Sequence, residues 1–368
     1  MATTGRTVAA DSVEERLTAT LREAEFLHVV SHADGDAVAA AGLVATALPD
    51  DAPVQVSTVR TDAEANRRLE NSTATTVAIG FADRGDESID TDSNALLAYE
   101  VATTFGDPDP VLASAGAMAA GTPPRGPAMD AAADLGVERR PGVGIPTADL
   151  GDGLAHSTLF HADLSGDEGR AGAFLAELDL PATLTEGDHR RLASALAMRA
   201  TESAPSRAVT ALEAALRPHE IPAGPFETVE GFADVLSGVA RADPGLAVAL
   251  AMDGADAATV LDAWREHAVA THETLRRADR RRHQGFVALD VGAVDPWDVA
   301  RLARDYRSGE RAVLAVGRDS VALATTDADA RGLLSGLDAV GGVGGRSTLA
   351  AATDVDPARV EDQLVEVR

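Results

Sequence analysis

FLHVVSHADGD, residues 26–36, is the most informative stretch of the chain. Its apolar first half predicts a buried strand, and the alanine-rich segment Asp36–Leu48 predicts a helix directly after it. Three potential metal ligands, His32, Asp34 and Asp36, stand between them at every second position. Alternate residues of an extended segment project to the same side, and ligands of open α/β sheets bind beyond the carboxyl ends of strands. We therefore expect the three side chains to converge on one hard divalent cation, with Mn²⁺ well suited to mixed histidine and carboxylate ligation.

Each residue of the trio also has a purely structural interpretation. Asp36 is a suitable residue to cap the helix that follows, and Asp34-Gly35 is a common turn dipeptide. A single histidine such as His32 is more often packed in a core than bound to metal. The pattern of three therefore predicts a site inherited from a metal centre, which holds one ion or none.

Strand and helix patterns alternate through the first half of the chain. Val54–Val59 and Thr75–Phe81 are expected strands, and Asn94–Phe105 and Pro110–Gly121 are expected helices. This alternation predicts an α/β fold with a parallel sheet and helices on its faces. The glycine- and proline-rich segment Gly121–Gly153 is expected to be a loop-rich crossing with no core element.

The second half repeats this pattern on a smaller scale. Gly231–Ala240, Asp256–Arg282 and Pro296–Arg307 are expected helices, and Arg311–Val316 and Ser320–Thr325 are expected to pair around a turn. We therefore expect three regions. Residues 1–190 form a parallel-sheet domain, 191–224 a helical connector and linker, and 225–368 a smaller α/β domain.

Composition bounds the setting in which the protein works. The net charge is −27, with 59 Asp and Glu dispersed along the chain and arginine as its sole fixed cation. Acidity of this kind favours a cytoplasmic protein of a halophile, in which salt screens self-repulsion. At such salt concentrations counterion release contributes little, so the charge does not exclude single-stranded DNA as a partner. The chain has no cysteine, which excludes disulfides and thiolate chemistry, and neither Met1–Ala10 nor any longer run predicts a membrane segment.

A glycine-rich stretch near the C-terminus is the second distinctive motif. Gly341, Gly342, Gly344 and Gly345 precede Arg346 and the run Ser347–Ala351. Consecutive glycines let backbone amides approach a phosphate, and arginine adds a bidentate contact. The stretch therefore predicts a nucleic-acid or phosphate-binding loop, and a plain tight turn is the alternative.

These two motifs resemble those of the DHH phosphoesterase superfamily, and RecJ-like proteins above all. SHADGDAVAAAGL resembles the family's first motif, Ser-His-x-Asp-x-Asp-Gly, although glycine here precedes the second Asp. GGRSTLAAA resembles the Gly-Gly-His-x-x-Ala-Ala-Gly signature of the DHH-associated domain, with Arg346 in place of His. Together with the helix opening near Thr228–Leu236, the resemblance covers most of the chain.

The remaining ligands of the family's two-Mn²⁺ centre are missing. Gly80 or Phe81 stands where the bridging Asp is expected, Asp83 is a nearby substitute that also suits a solvated loop, and no Asp-His-His occurs. A two-metal site needs more than three ligands, so the resemblance implies lost hydrolysis. His156 and His161 lie near further carboxylates, and we interpret that segment as a polar loop; those carboxylates are Asp152, Asp163 and Asp167.

Three functions remain open from the sequence. The first is a catalytically impaired RecJ-like protein of DNA replication or repair, which binds single-stranded DNA or the replisome proteins GINS and MCM. The second is an active Mn²⁺-dependent 5′–3′ exonuclease or phosphodiesterase that uses His32, Asp34 and Asp36. The third is a scaffold or ligand-binding protein, for which the chain offers no nucleotide-binding fingerprint.

Overall fold

A parallel sheet of four strands lies at the centre of the first half of the chain. The computed structural model describes residues 12–49 and 52–367, so the expectation about Met1–Ala10 lies outside the described residues. Strand order is β2-β1-β3-β4, and all three pairings are parallel. The elements up to residue 156 are α1 (Val13–Glu23), β1 (Leu27–His32), α2 (Gly35–Ala47), β2 (Val54–Val59), α3 (Asp62–Glu70), β3 (Thr75–Ile79), β4 (Glu87–Ile89), α4 (Asn94–Ala102), α5 (Pro110–Ala119), α6 (Pro127–Asp134), β5 (Glu138–Arg139) and α7 (Leu150–His156).

A second, mixed sheet of six strands occupies the C-terminal part. Its order is β11-β12-β10-β9-β8-β7, and β8 with β9 is its parallel pair. The remaining elements are α8 (Glu168–Leu178), α9 (Glu186–Thr201), α10 (Ala208–Glu213), β6 (His219–Glu220), α11 (Val229–Ala242), α12 (Pro244–Ala251), α13 (Ala257–Arg277), β7 (Arg280–His283), β8 (Phe286–Gly292), α14 (Pro296–Leu302), β9 (Ala312–Gly317), β10 (Ser320–Thr325), α15 (Ala330–Ser335), β11 (Gly344–Arg346), β12 (Leu349–Thr353) and α16 (Pro357–Val367). A π-helical turn, Ala303–Arg307, continues α14. The α/β architecture with a parallel sheet and a second sheet is confirmed.

Helices pack on both faces of the first sheet, and many of the residues between them are alanines. Helix α2 is buried along most of its length because its small residues allow close approach of its neighbours α4 and α5. Helix α11, from the second half of the chain, joins this same apolar core. The expected boundaries at 190 and 225 therefore stay predictions, while the core itself is continuous across them.

Two sequence-based expectations were wrong. Gly121–Gly153 contains α6, and Ala128 and Ala132 on that helix are buried in the main core. The expected helix Asp256–Arg282 ends at Arg277, and its last residues form the edge strand β7. Strand pairing with β8 overrides helical propensity there. No helix in the described part of the chain has the length and apolarity that a bilayer crossing requires.

Candidate functional site

The sequence-predicted trio lies at the carboxyl end of the central strand β1. His32 is the last residue of that strand and is buried. Asp34 caps α2, and its Oδ1 accepts a hydrogen bond from the backbone N–H of Ala37 at 2.8 Å. Asp36 follows in the first turn of α2 and is 1% exposed. The structural role weighed for Asp36, capping the helix, is thus performed by Asp34.

His32 and Asp34 form a direct pair. The Nδ1 atom of His32 lies 2.6 Å from Oδ2 of Asp34. An ionised carboxylate only accepts hydrogen bonds, so Nδ1 carries the proton and Nε2 has the lone pair when the ring is neutral. Nε2 is buried and has no hydrogen-bond partner in the described structure. It faces the backbone of Gly344, where an added Cβ would lie 2.6 Å away.

Asp36 turns towards the start of α4. Its carboxylate accepts hydrogen bonds from Ser93 Oγ at 3.0 Å and from the backbone N–H groups of Asn94 at 2.8 Å and Ala95 at 3.0 Å. A fourth bond comes from the guanidinium of Arg346, whose Nη2 lies 2.5 Å from Oδ2. A carboxylate has about four acceptor positions, so these partners use the acceptor capacity of Asp36.

Arg346 brings a permanent cation to the metal-type motif. It projects from β11 and also donates to the backbone oxygens of Thr91 and Asp92. Burial opposes the charged form of Arg346, but the carboxylates of Asp34 and Asp36 raise its pKa. Asp36 therefore pairs directly with a guanidinium, whereas Asp34 pairs with His32 and acts on Arg346 through its charge.

The surroundings shift the pKa values of the two aspartates in opposite directions. Burial would raise the pKa of Asp34, but the hydrogen bond and charge of His32 together with the charge of Arg346 hold it well below its usual range. Burial raises the pKa of Asp36 to about 6, against the charge of Arg346. Two carboxylates thus lie beside one guanidinium, and Asp36 ionises fully only above about pH 6.

The expected replacement ligand, Asp83, does not join this group. It is exposed in a left-handed turn (φ 55°) beyond β3, where its backbone N–H donates to Ser88 Oγ. No hydrogen bond or ion pair within residues 12–49 and 52–367 links Asp83 to the trio. Gly80, one of the two residues expected in place of the family's bridging Asp, has φ +81°, and a Cβ there would lie 2.8 Å from Cβ of His32. A larger side chain at Gly80 would therefore require its neighbours to shift.

The donors present do not fit a pair of Mn²⁺ ions. Two ions about 3.5–4 Å apart need several free carboxylate and imidazole donors. Asp36 is saturated, Arg346 supplies positive charge beside both carboxylates, and the free nitrogen of His32 faces backbone. The role of His32, Asp34, Asp36 and Asp83 as metal ligands stays a prediction for a single ion.

The glycine loop packs against the first sheet's edge. Gly344-Gly345-Arg346 is a short strand paired with β12, so the alternative of a plain turn does not describe it. The backbone N–H of Val343 donates to Asp62 Oδ1 at 2.9 Å, and an added Cβ on Gly344 would lie 1.9 Å from the oxygen of Arg60. Gly342 meets Asp62 and Ala63 in the same close way, whereas Gly341 has open space. Phosphate binding by these glycines and Arg346 stays a prediction.

A different acidic and histidine group gathers near α7. Ligand atoms of Asp152, His156 and Glu168 lie within 4.8 Å of one another. Arg265 already binds both carboxylate oxygens of Asp152, at 2.8 and 2.9 Å, which weakens the case for an ion there. The expected polar loop is partly helical, and His161 is buried beside His272 instead of joining this group.

A cleft of about 260 Å³ opens beside the trio, between the two sheets. Sequence reasoning missed most of its charged lining, because these residues lie in an ordinary amphipathic pattern around α11 and α14. Arginines and carboxylates line it together, namely Asp34, Arg346, Arg241, Arg301, Arg304, Glu230, Asp234, Asp298 and Asp305. Arg241 also stacks over Trp297 at 4.8 Å, so the cleft has one rigid cationic wall.

Two comparisons place the chain in a family. Residues 278–367 match the family model "Uncharacterized protein rrnAC1427, C-terminal domain". The protein rrnAC1427 of Haloarcula marismortui is 43% identical over 331 residues, which cover 89% of this chain and 88% of that protein. The chain belongs to the rrnAC1427 family.

Solved structures extend this rrnAC1427-family assignment to a known fold. CDC45 from Entamoeba histolytica superposes with a TM-score of 0.57 at 9% identity, over 95% of this chain and 96% of that chain. RecJ from Thermus thermophilus in complex with Mn²⁺ gives 0.46 at 15% identity, and this chain spans 56% of its length. Exonuclease RecJ bound to manganese gives 0.47 at 13% identity, over 98% and 95%. The likeness to CDC45 carries the conclusion about the fold, and it shows that the two proteins share one fold.

Proposed function

We propose that this protein is a catalytically impaired RecJ-like protein of DNA replication or repair, which binds single-stranded nucleic acid within a replisome assembly. The observation that carries the proposal is the ion pair between Asp36 and Arg346. The sheet and the motif at its carboxyl end are retained, but Asp36 is bonded to a fixed cation and is no longer free to bind a metal ion. Such a site keeps its architecture without the means to activate water.

The cleft supports the binding half of the proposal. Arginines are suited to phosphate because their guanidinium forks match its oxygens, and Arg301 and Arg304 line the cleft with part of each side chain exposed. Their carboxylate partners keep the cleft close to neutral. Binding would therefore rest on local contacts and depend only weakly on salt.

Hydrolysis and binding can be measured on one labelled strand. The purified protein is incubated with an end-labelled 20-nucleotide oligo-dT and Mn²⁺, Mg²⁺ or Co²⁺. We expect a complex by fluorescence anisotropy and no metal-dependent shortening of the strand. Digestion that Asp34→Ala abolishes would instead establish the active exonuclease and overturn the impairment.

The location of binding is tested with a matched pair of arginine variants. Arg301→Gln removes a cleft guanidinium, and Arg190→Gln removes an exposed one paired with Glu186 on α9. We expect at least a fivefold loss of oligo-dT affinity for the first and none for the second, with folding checked by thermal unfolding. Absence of strand binding, together with absence of GINS and MCM from complexes isolated from the native source, would contradict the proposal.

A further inference from the structure

Three arginines of this acidic chain gather at one edge of the second sheet. Arg280 and Arg282 stand at alternate positions of β7, and Arg307 lies at the end of the π-helical turn. With Val287 and Leu289 on β8 they line a groove of about 350 Å³, here called the arginine groove. No residue lining it is acidic or aromatic.

These guanidiniums lack the ion pairs that many other arginines of the chain form. In the described structure the side chains of Arg280 and Arg307 form no hydrogen bond or ion pair, and both residues are exposed. Arg282 has one long contact, 3.4 Å to Glu310. Burial lowers the pKa of Arg307, and the neighbouring charges of Arg280 and Arg276 lower it further. Like charges held together in a chain of net charge −27 indicate a missing anion.

The opposite face of β7 shows what compensation looks like. Arg281 and His283 alternate with the groove residues, and both bind Glu361 on α16, at 2.6 and 2.8 Å. One face of the strand is thus neutralised within the chain. The other face presents its guanidiniums to solvent over an apolar floor.

The backbone of β7 is also open on that edge. β7 is the last strand in the order of its sheet. The backbone N–H of Asp290 donates to the oxygen of Asp279 at 3.1 Å, and the register pairs Arg280 with Leu289. In an antiparallel ladder hydrogen-bonded and non-bonded pairs alternate, so the N–H and C=O groups of Arg280 and Arg282 point away from β8. The same two residues therefore offer both unpaired backbone groups and unpaired charges.

We propose that the arginine groove docks an acidic, extended protein segment that adds to β7 as a further strand. Its backbone pairs with the open groups of Arg280 and Arg282, and carboxylates at every second position face the guanidiniums, as in cross-strand ion pairs. The carboxylate side chains then lie on the same face of the sheet as the apolar floor of Val287 and Leu289. A single-stranded nucleic acid is the poorer occupant, because the groove has no aromatic ring on which bases could stack.

The probe is a fluorescein-labelled heptapeptide that alternates glutamate and valine. Two matched peptides accompany it: one has glutamine for each glutamate, and one keeps the glutamates but carries a methyl group on every backbone nitrogen, so that it cannot pair as a strand. We expect binding of the first peptide only. Peptide addition should also slow amide hydrogen exchange in residues 280–283. Equal binding of the N-methylated peptide would mean a simple anion site and would overturn strand addition.

Variants locate the effect on the groove. The double substitution Arg280→Gln with Arg307→Gln should weaken peptide affinity at least tenfold. Arg277→Gln is the matched control, since it removes an exposed arginine on α13 that pairs with Glu273 outside the groove. Equal affinity of the native protein and the double variant would refute the proposal. If the native protein bound oligo-dT but not the peptide, and the double variant lost this binding, the groove would be a nucleic-acid site and the proposal would be refuted equally. This result is distinct from binding of DNA in the cleft, which Arg301→Gln tests.

Discussion

At the scale of single residues, the proposed loss of a metal site depends on the pairing of Asp36 with Arg346. Its carboxylate is fully buried, and Arg346 is the one cation bonded to it in the described structure. Arg346→Gln should leave this carboxylate without a counter-charge, and removing one partner of a buried pair typically destabilises a protein by about 3–5 kcal/mol. We expect a loss of that order in the free energy of unfolding, measured by denaturant titration at neutral pH.

A second substitution separates the ion pair from mere loss of packing. Asp36→Asn added to Arg346→Gln removes the stranded charge, so the double variant should be more stable than Arg346→Gln alone. Arg190→Gln, which breaks an exposed pair, should change stability by less than about 1 kcal/mol. If Arg346→Gln were as harmless as this surface variant, the buried pair would not have the role assigned to it.

The same residues show how far the sequence predicts the site. The pattern from His32 to Asp36 predicted a polar group at the end of a buried strand, because strand periodicity and the following helix are local properties. The partner of Asp36 was not predictable in this way. Arg346 is 310 positions away, and only the approach of the second sheet to the first brings it to the motif.

At the scale of elements, the glycine loop packs closely against the carboxyl ends of β1 and β2. Gly344→Ala would place a Cβ 1.9 Å from the oxygen of Arg60 and 2.6 Å from Nε2 of His32. Overpacking of this kind costs about 1–3 kcal/mol, since β11 and the end of β1 have to move apart. A lowered thermal midpoint is the expected result. Gly341→Ala in the same loop has nothing within 4 Å and should leave the midpoint almost unchanged.

Helices and strands were predicted correctly where the sequence periodicity was strong, and wrongly where strand pairing determined the secondary structure. The expected hairpin of Arg311–Val316 and Ser320–Thr325 is confirmed as β9 and β10 in antiparallel register. The helix end wrongly expected at Arg282 has a physical reason, since residues 280–283 pair with β8 and bind Glu361, which is distant in sequence. Helix α6 was hidden among glycines and prolines because its eight residues carry little apolar pattern.

For the whole molecule, Asp295 links the two sheets. Its carboxylate binds Arg60, beyond the end of β2, at 2.6 Å and Arg241 on α11 at 3.0 Å. Asp295→Asn should leave the buried guanidinium of Arg241 without a counter-charge and lower the free energy of unfolding by about 3–5 kcal/mol. Asp327→Asn breaks an exposed pair with Arg311 and is the matched control. Comparable effects of the two variants in denaturant unfolding would show that the link contributes little.

A pair of buried imidazoles makes stability depend on pH. Nδ1 of His161 lies 3.0 Å from Nδ1 of His272, and Nε2 of His272 donates to the oxygen of Ser157. Burial lowers the pKa of His161 to about 2 and that of His272 to about 3, and neighbouring positive groups act in the same direction on both. In the unfolded chain both titrate near pH 6.5. The unfolded state therefore binds more protons between pH 6.5 and about 3, so stability falls as the pH falls.

The slope of this loss identifies its source. Each imidazole contributes about 1.4 kcal/mol per pH unit below 6.5, whereas Asp36, whose pKa is raised to about 6, contributes in the opposite sense. Denaturant midpoints measured from pH 7.5 to 4.5 should decline steeply in the native protein. The decline should flatten in a variant with His161→Gln and His272→Gln and persist in His189→Gln, whose histidine shows no such contact. The imidazole pair joins α13 to the segment after α7, so both rings have to stay neutral for these two parts of the chain to remain packed. An unchanged slope in the double variant would therefore assign the acid sensitivity to other groups.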